Sequence, residues 1–146
     1  MTRFALIAML VLTVAGCSIP TKRWPHANRE YVWIAMIAAA KTPDYSSDDP
    51  RKRWIVIEND VDVNSDLGRI VVNRKLSRSL LLPRQNEQID TREWFFVIQL
   101  KPETSSTNQK TTVTFDVPEN QFVPVRVQDE ANRYFSLVDE LLQPTE

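Results

Sequence analysis

Histidine, cysteine and glycine are nearly missing from this chain: of 146 residues, one is His, one is Cys and two are Gly. Each scarcity removes a class of chemistry. His26 lies in a polar, proline-flanked stretch, so no Ser-His-Asp, Cys-His or multi-histidine metal site can be assembled within one chain. A lone cysteine, Cys17, forms no internal disulfide. Beyond residue 16 only Gly68 is left, too few glycines for a phosphate-cradling loop. Charge of one sign is missing as well, with 18 basic against 19 acidic side chains, so no global field recruits nucleic acid. The apolar run Phe4 to Ala15, 12 residues, falls short of the ~17–25 that span a bilayer as a helix, and no repeat of ~20–50 residues is visible. What is present is apolar bulk: 42% hydrophobic residues and four tryptophans supply one core.

The N-terminal stretch up to Cys17 carries the clearest local pattern. Arg3 is followed by the uncharged run Phe4 to Ala15, which fits a signal h-region of roughly 7–15 residues. The run closes on Val14-Ala15-Gly16-Cys17. This stretch resembles the lipobox of bacterial lipoproteins, where an aliphatic residue and two small residues precede the cysteine that receives a diacylglyceryl group. The small residues leave the backbone open to a peptidase, and a thiol can take a thioether-linked lipid. The resemblance implies cleavage between Gly16 and Cys17, lipid on Cys17 and anchoring to a membrane; Ser18, rather than Asp, after the cysteine implies the periplasmic face of the outer membrane. Two or more acyl chains hold stably, at ~0.8 kcal/mol per buried methylene.

Residues 1–16 are therefore expected to be a signal peptide, 17–27 a flexible tether interrupted by Pro20 and Pro25, and 28–146 a single domain. The mature chain, Cys17 to Glu146, keeps all 19 acidic side chains and loses only Arg3 from the basic ones; its length suits one domain. Its first helix starts at Asn28, a good N-cap, and places Val32, Ala35, Met36 and Ala39 on one stripe before Pro43. Arg53 to Asn59 is apolar on both parities and reads as a strand covered on both faces. Gly68, just before Ile70-Val71-Val72, marks a turn needing φ > 0. Trp94, Phe96, Ile98 and Leu100 alternate, as do Thr111, Val113, Phe115 and Val117, so these runs pair as a hairpin. Gln128 to Leu142 is the best amphipathic helix, with Ala131, Tyr134, Phe135, Val138, Leu141 and Leu142 on its apolar side.

Strands grouped between two helices predict an α+β fold. A small antiparallel sheet of about four strands would carry the N-terminal and C-terminal helices on one face, in the order α-β-β-β-β-α. That layout resembles small envelope lipoprotein domains, including outer-membrane assembly accessories, and fold alone does not fix function.

Three groups of residues invite a functional reading. Asp60, Asp62, Asn64 and Asp66 alternate like the opening of a calcium loop. Ser65 and Val71 stand where such a loop needs Gly and a bidentate Glu, so a solvated acidic turn is the competing reading. Arg74 and Arg78 share strand parity with Ile70, Val72 and Leu76; they either form an anion pocket for a lipid head group or glycan carboxylate, or pair with acids such as Glu58 or Asp116. Leu80, Leu81 and Leu82 either cap the core or stand exposed as a contact for a partner or for the membrane. The expectation is a membrane-anchored, non-enzymatic binding or assembly module with an envelope protein partner, no nucleic acid and no cofactor beyond the lipid. A carboxylate-based periplasmic hydrolase and a calcium-stabilised binding domain are the alternatives. The calcium reading predicts a melting temperature that rises with added Ca²⁺, and calorimetry showing no shift removes it.

Overall fold

The computed structural model describes residues 19–81, 83–101, 111–118, 120 and 123–143. Its elements are β1 (Thr21–Trp24), α1 (Arg29–Lys41), β2 (Ile55–Asn64), β3 (Arg69–Leu80), β4 (Gln88–Leu100), β5 (Thr111–Asp116) and α2 (Pro124–Leu141). All five strands join one antiparallel sheet in the order β1-β5-β4-β3-β2, with both helices over one face. The class is α+β. Among the described residues no helix is long and apolar enough to cross a membrane.

The core follows from strand parity. Ile70, Val72 and Leu76 of β3, Trp94, Phe96, Ile98 and Leu100 of β4, and Val113 and Phe115 of β5 are all buried toward the helices. Phe96 stacks on Phe115 with ring centroids 4.6 Å apart, and Tyr134 and Phe135 of α2 close on Phe115 at 6.1 and 6.4 Å. Asn28 caps α1 as its sequence suggests, its Oδ1 accepting the Glu30 N–H at 2.8 Å. The small side chains Ala35, Ala39 and Ala40 let this helix pack closely, and the Tyr134 hydroxyl of α2 donates to the Met36 carbonyl at 2.9 Å.

Three sequence expectations need correction. The tether expected over 17–27 contains β1, an edge strand with Thr21 opposite Thr114 and Trp24 opposite Thr111. Asp139 of α2 accepts from Lys22 Nζ at 2.9 Å and from Trp24 Nε1 at 2.7 Å, fixing that strand. Such a short strand is too brief for periodicity to register, and its partner β5 is the last strand of the chain. The added strand makes the sheet five-stranded.

Second, β2 is an edge strand, not one covered on both faces; Ile55 is 62% and Ile57 59% exposed. Its doubly apolar sequence reflects a register shift between Val56 and Glu58. A bulge there flips parity, so Val56 sits opposite Leu76, while Asn59, Val61 and Val63 face Arg74, Val72 and Ile70.

Third, the acidic stretch is not a turn throughout. Asp60 to Asn64 continue β2, and only Ser65 to Gly68 turn. Gly68 has φ +59°, and its carbonyl accepts the Leu100 N–H at 2.8 Å. A Cβ there would lie 3.2 Å from the Leu100 carbonyl oxygen. Gly68→Ala is expected to cost at least the ~1–2 kcal/mol of a left-handed non-glycine residue, read as a lower urea midpoint.

Candidate functional site

Arg74 is the most deeply placed charge among the described residues, 2% exposed in the middle of β3. Its Nε donates to Asn59 Oδ1 at 2.8 Å, one terminal nitrogen to the Tyr45 hydroxyl at 2.9 Å, and the other to the Ala40 carbonyl at 2.8 Å. Glu130 of α2 pairs with it at 3.4 Å, and the Tyr45 hydroxyl donates to the same carboxylate. The guanidinium also lies 5.3 Å from the Phe96 ring centroid and 5.6 Å from that of Tyr45.

Burial pushes the Glu130 carboxyl above the ordinary carboxylate range, opposed by the Tyr45 hydrogen bond and the Arg74 charge. Burial also raises the Tyr45 phenol well above its usual value, helped by the Glu130 charge, so Tyr45 serves as a neutral donor. Ala40 ends the buried stripe of α1, and Asn59 Nδ2 shares its carbonyl at 3.0 Å. A cation at a helix C-terminus suits the dipole. The anion pocket expected at Arg74 is thus already filled by the protein's own groups. Its acid is Glu130, not Glu58 or Asp116.

Arg78 does reach the rim. It pairs with Asp90 at 2.8 Å, donates to the Arg51 carbonyl at 2.6 Å and lies 4.3 Å from the centroid of Trp54. Arg92, its diagonal neighbour on β4, lies 4.7 Å from the same ring. Burial, then the charges of Arg126 and Arg78, push the Arg92 guanidinium below the usual arginine value, while Asp90 and Glu130 oppose them. Among the described residues the Arg92 side chain makes no hydrogen bond or ion pair. Trp94 Nε1 nearby is buried, with no hydrogen-bond partner in the described structure.

Neither any protein-family model, nor any curated protein, nor any solved structure matches this chain.

The remaining expected site residues are scattered. Asp60, Asp62 and Asn64 lie exposed on alternate positions of β2, about 7 Å apart in an extended strand, too far to converge on a cation that binds oxygens at ~2.3–2.6 Å. Asn64 Oδ1 instead accepts the Leu67 N–H at 3.0 Å, and Asp66 sits in the turn beyond. No three His, Cys, Asp or Glu side chains gather to hold a metal among the described residues. Leu80 is half-buried and Leu81 75% exposed; Leu82, Gly16 and Cys17 lie outside the described residues. An open groove of about 590 Å³ at the Gly68 end is bordered by Glu30, Asp66, Trp33 and Leu100.

Sequence reasoning found Arg74 by parity but missed Tyr45, Glu130, Trp54 and Arg92. Glu130 had a signal: it falls three positions after Val127 and four before Tyr134, on the apolar stripe of α2. Removing one partner of a buried pair strands the other charge. Arg74→Met is therefore expected to cost about 3–5 kcal/mol in urea unfolding, and Arg74→Met with Glu130→Leu much less than the sum of the two single changes. Additive losses would contradict this account.

Proposed function

We propose that this chain is an envelope lipoprotein, anchored through lipid on Cys17, whose α+β domain works without catalysis as a binding or assembly module at the periplasmic face of the outer membrane. The observation that carries the reading is the run Val14-Ala15-Gly16-Cys17 closing the uncharged segment that opens at Phe4. Support comes from how the domain uses its polar groups. Arg74, Tyr45, Glu130 and Asn59 bind one another and α1, which commits them to holding the fold. The exposed aliphatic Leu81 at the end of β3 is available to an envelope protein partner.

The hydrolase alternative draws on the groove beside Gly68, where Glu30 and Asp66 both border the space. Both residues are exposed at the rim of that open groove, whereas a glycosidase acid sits in an apolar pocket. The anchored binding module is the reading retained.

Cys17→Ser is expected to abolish incorporation of labelled palmitate and to move the protein from the membrane to the soluble fraction of fractionated cells. Undiminished labelling of the Cys17→Ser chain, or an unmodified cysteine in the wild-type protein by mass spectrometry, would overturn the proposal.

A further inference from the structure

Between Cys17 and the first sheet residue, Thr21, stand only Ser18, Ile19 and Pro20. Fully extended, those four steps reach about 14 Å. The Pro20 carbonyl already accepts the Phe115 N–H at 2.9 Å, so the chain joins the sheet beside the C-terminal part of β5. An anchor on Cys17 would therefore hold the β1–β5 side of the sheet close to the bilayer, with the longer β3 and β4 extending from it along the surface.

Topology brings several other segments to the same end. Strands alternate in direction, so the finish of β5, the start of β4, the finish of β3 and the start of β2 point the same way, and because Asp116 of β5 pairs with Val97, β4 and β3 run about 30 Å past β5 in that direction. The loop from α1 to β2 and the first turn of α2 lie there too. The β3–β4 hairpin continues past the start of β2 through Arg78, Ser79 and Leu80, about 10 Å further. Its exposed Leu81 and Ile89 are 75% and 74% accessible.

At this end sits the Trp54 corner. Arg78 and Arg92 both lie against the Trp54 ring, and Arg126 is close enough to perturb Arg92. Lys52 and Arg53 precede Trp54 directly and are exposed. The nearby acids are engaged: Asp90 by Arg78, Asp49 by Arg51, and Glu130 by Arg74 and Tyr45. Asp44, Asp48 and Glu87 on flanking turns, and Asp129 three residues after Arg126 on α2, temper the field, so the attraction is local to this corner. Helix α2 adds to it, for its N-cap Val123 has no side-chain cap and its first turn carries no acid, leaving the positive end of the dipole uncompensated.

We infer that the Trp54 corner, built from Arg78, Arg92 and Arg126, docks on the anionic phospholipid headgroups of the bilayer to which the chain is anchored. Arg92 supplies guanidinium donors with no acceptor among the described residues, and arginine matches phosphate geometry with two parallel hydrogen bonds. Ile89 dips into the interface beside it, and the short lead from Cys17 keeps this side of the sheet near the lipid. The orientation rests on the anchored reading; the headgroup contact itself is tested without it.

The test is co-sedimentation of a chain beginning at residue 17 with Cys17→Ser, which keeps the whole core and cannot be lipidated. Vesicles of phosphatidylcholine alone are compared with vesicles that are about one-third phosphatidylglycerol, at low and high salt. Binding is expected only to the anionic vesicles and should weaken with salt. Each arginine removed should weaken it about fivefold, so Arg92→Gln with Arg126→Gln should weaken it about 25-fold. Lys52→Glu with Arg126→Glu, at exposed positions that leave the core untouched, should weaken it at least as much. Arg69→Gln at the opposite end should leave it unchanged. Equal binding to both vesicle types, no binding to either, or undiminished binding by the Lys52→Glu and Arg126→Glu chain overturns the inference. Vesicle binding lost while Cys17-dependent labelling persists overturns it and spares the anchor; vesicle binding retained without labelling does the reverse.

Discussion

A buried guanidinium in a sheet is costly unless it is surrounded on all sides, and in this chain Arg74 draws its polar partners from three other elements and a loop. Asn59 comes from β2, Ala40 from the end of α1, Tyr45 from the loop between them and Glu130 from α2. Such a cluster adds little net stability compared with apolar side chains of similar volume, because desolvation offsets most of the attraction. Its effect is on specificity. Sliding α2 by one helical turn, about 5.4 Å, would carry Glu130 away and leave Arg74 as an uncompensated charge in the core. Only one docking of the two helices on the sheet avoids that cost.

The aromatic core and the edges are arranged around this constraint. Phe96, itself stacked on Phe115, and Tyr45 lie against the guanidinium, so the charge meets aromatic rings instead of water. At one edge, the β2 bulge turns Val56 inward and leaves Ile57 outside, which roughens a long strand that would otherwise offer a straight ladder to other chains. At the other edge, β1 is kept to four residues and secured by Asp139 rather than by length.

The Trp54 corner lies at the opposite extreme. There two arginines share one indole, and among the described residues only Arg78 forms an ion pair. Arg74 has every side occupied, whereas among the described residues Arg92 is stacked without a side-chain hydrogen bond.

Much of this was legible in the sequence because period and parity are local. The stripe Val32, Ala35, Met36 and Ala39, the alternation of Trp94, Phe96, Ile98 and Leu100, the left-handed Gly68 and the inward Arg74 all follow from spacing alone. What the sequence could not supply was pairing across distance. A strand as short as β1 has no period of its own, a bulge makes one strand resemble two faces, and the acid that meets Arg74 lies 56 residues away along the chain. Composition and periodicity determined which residues face inward and which class of fold results. Tertiary structure alone decided which charges meet, because burial leaves a charge only the partners that the packing of helices on the sheet brings within reach.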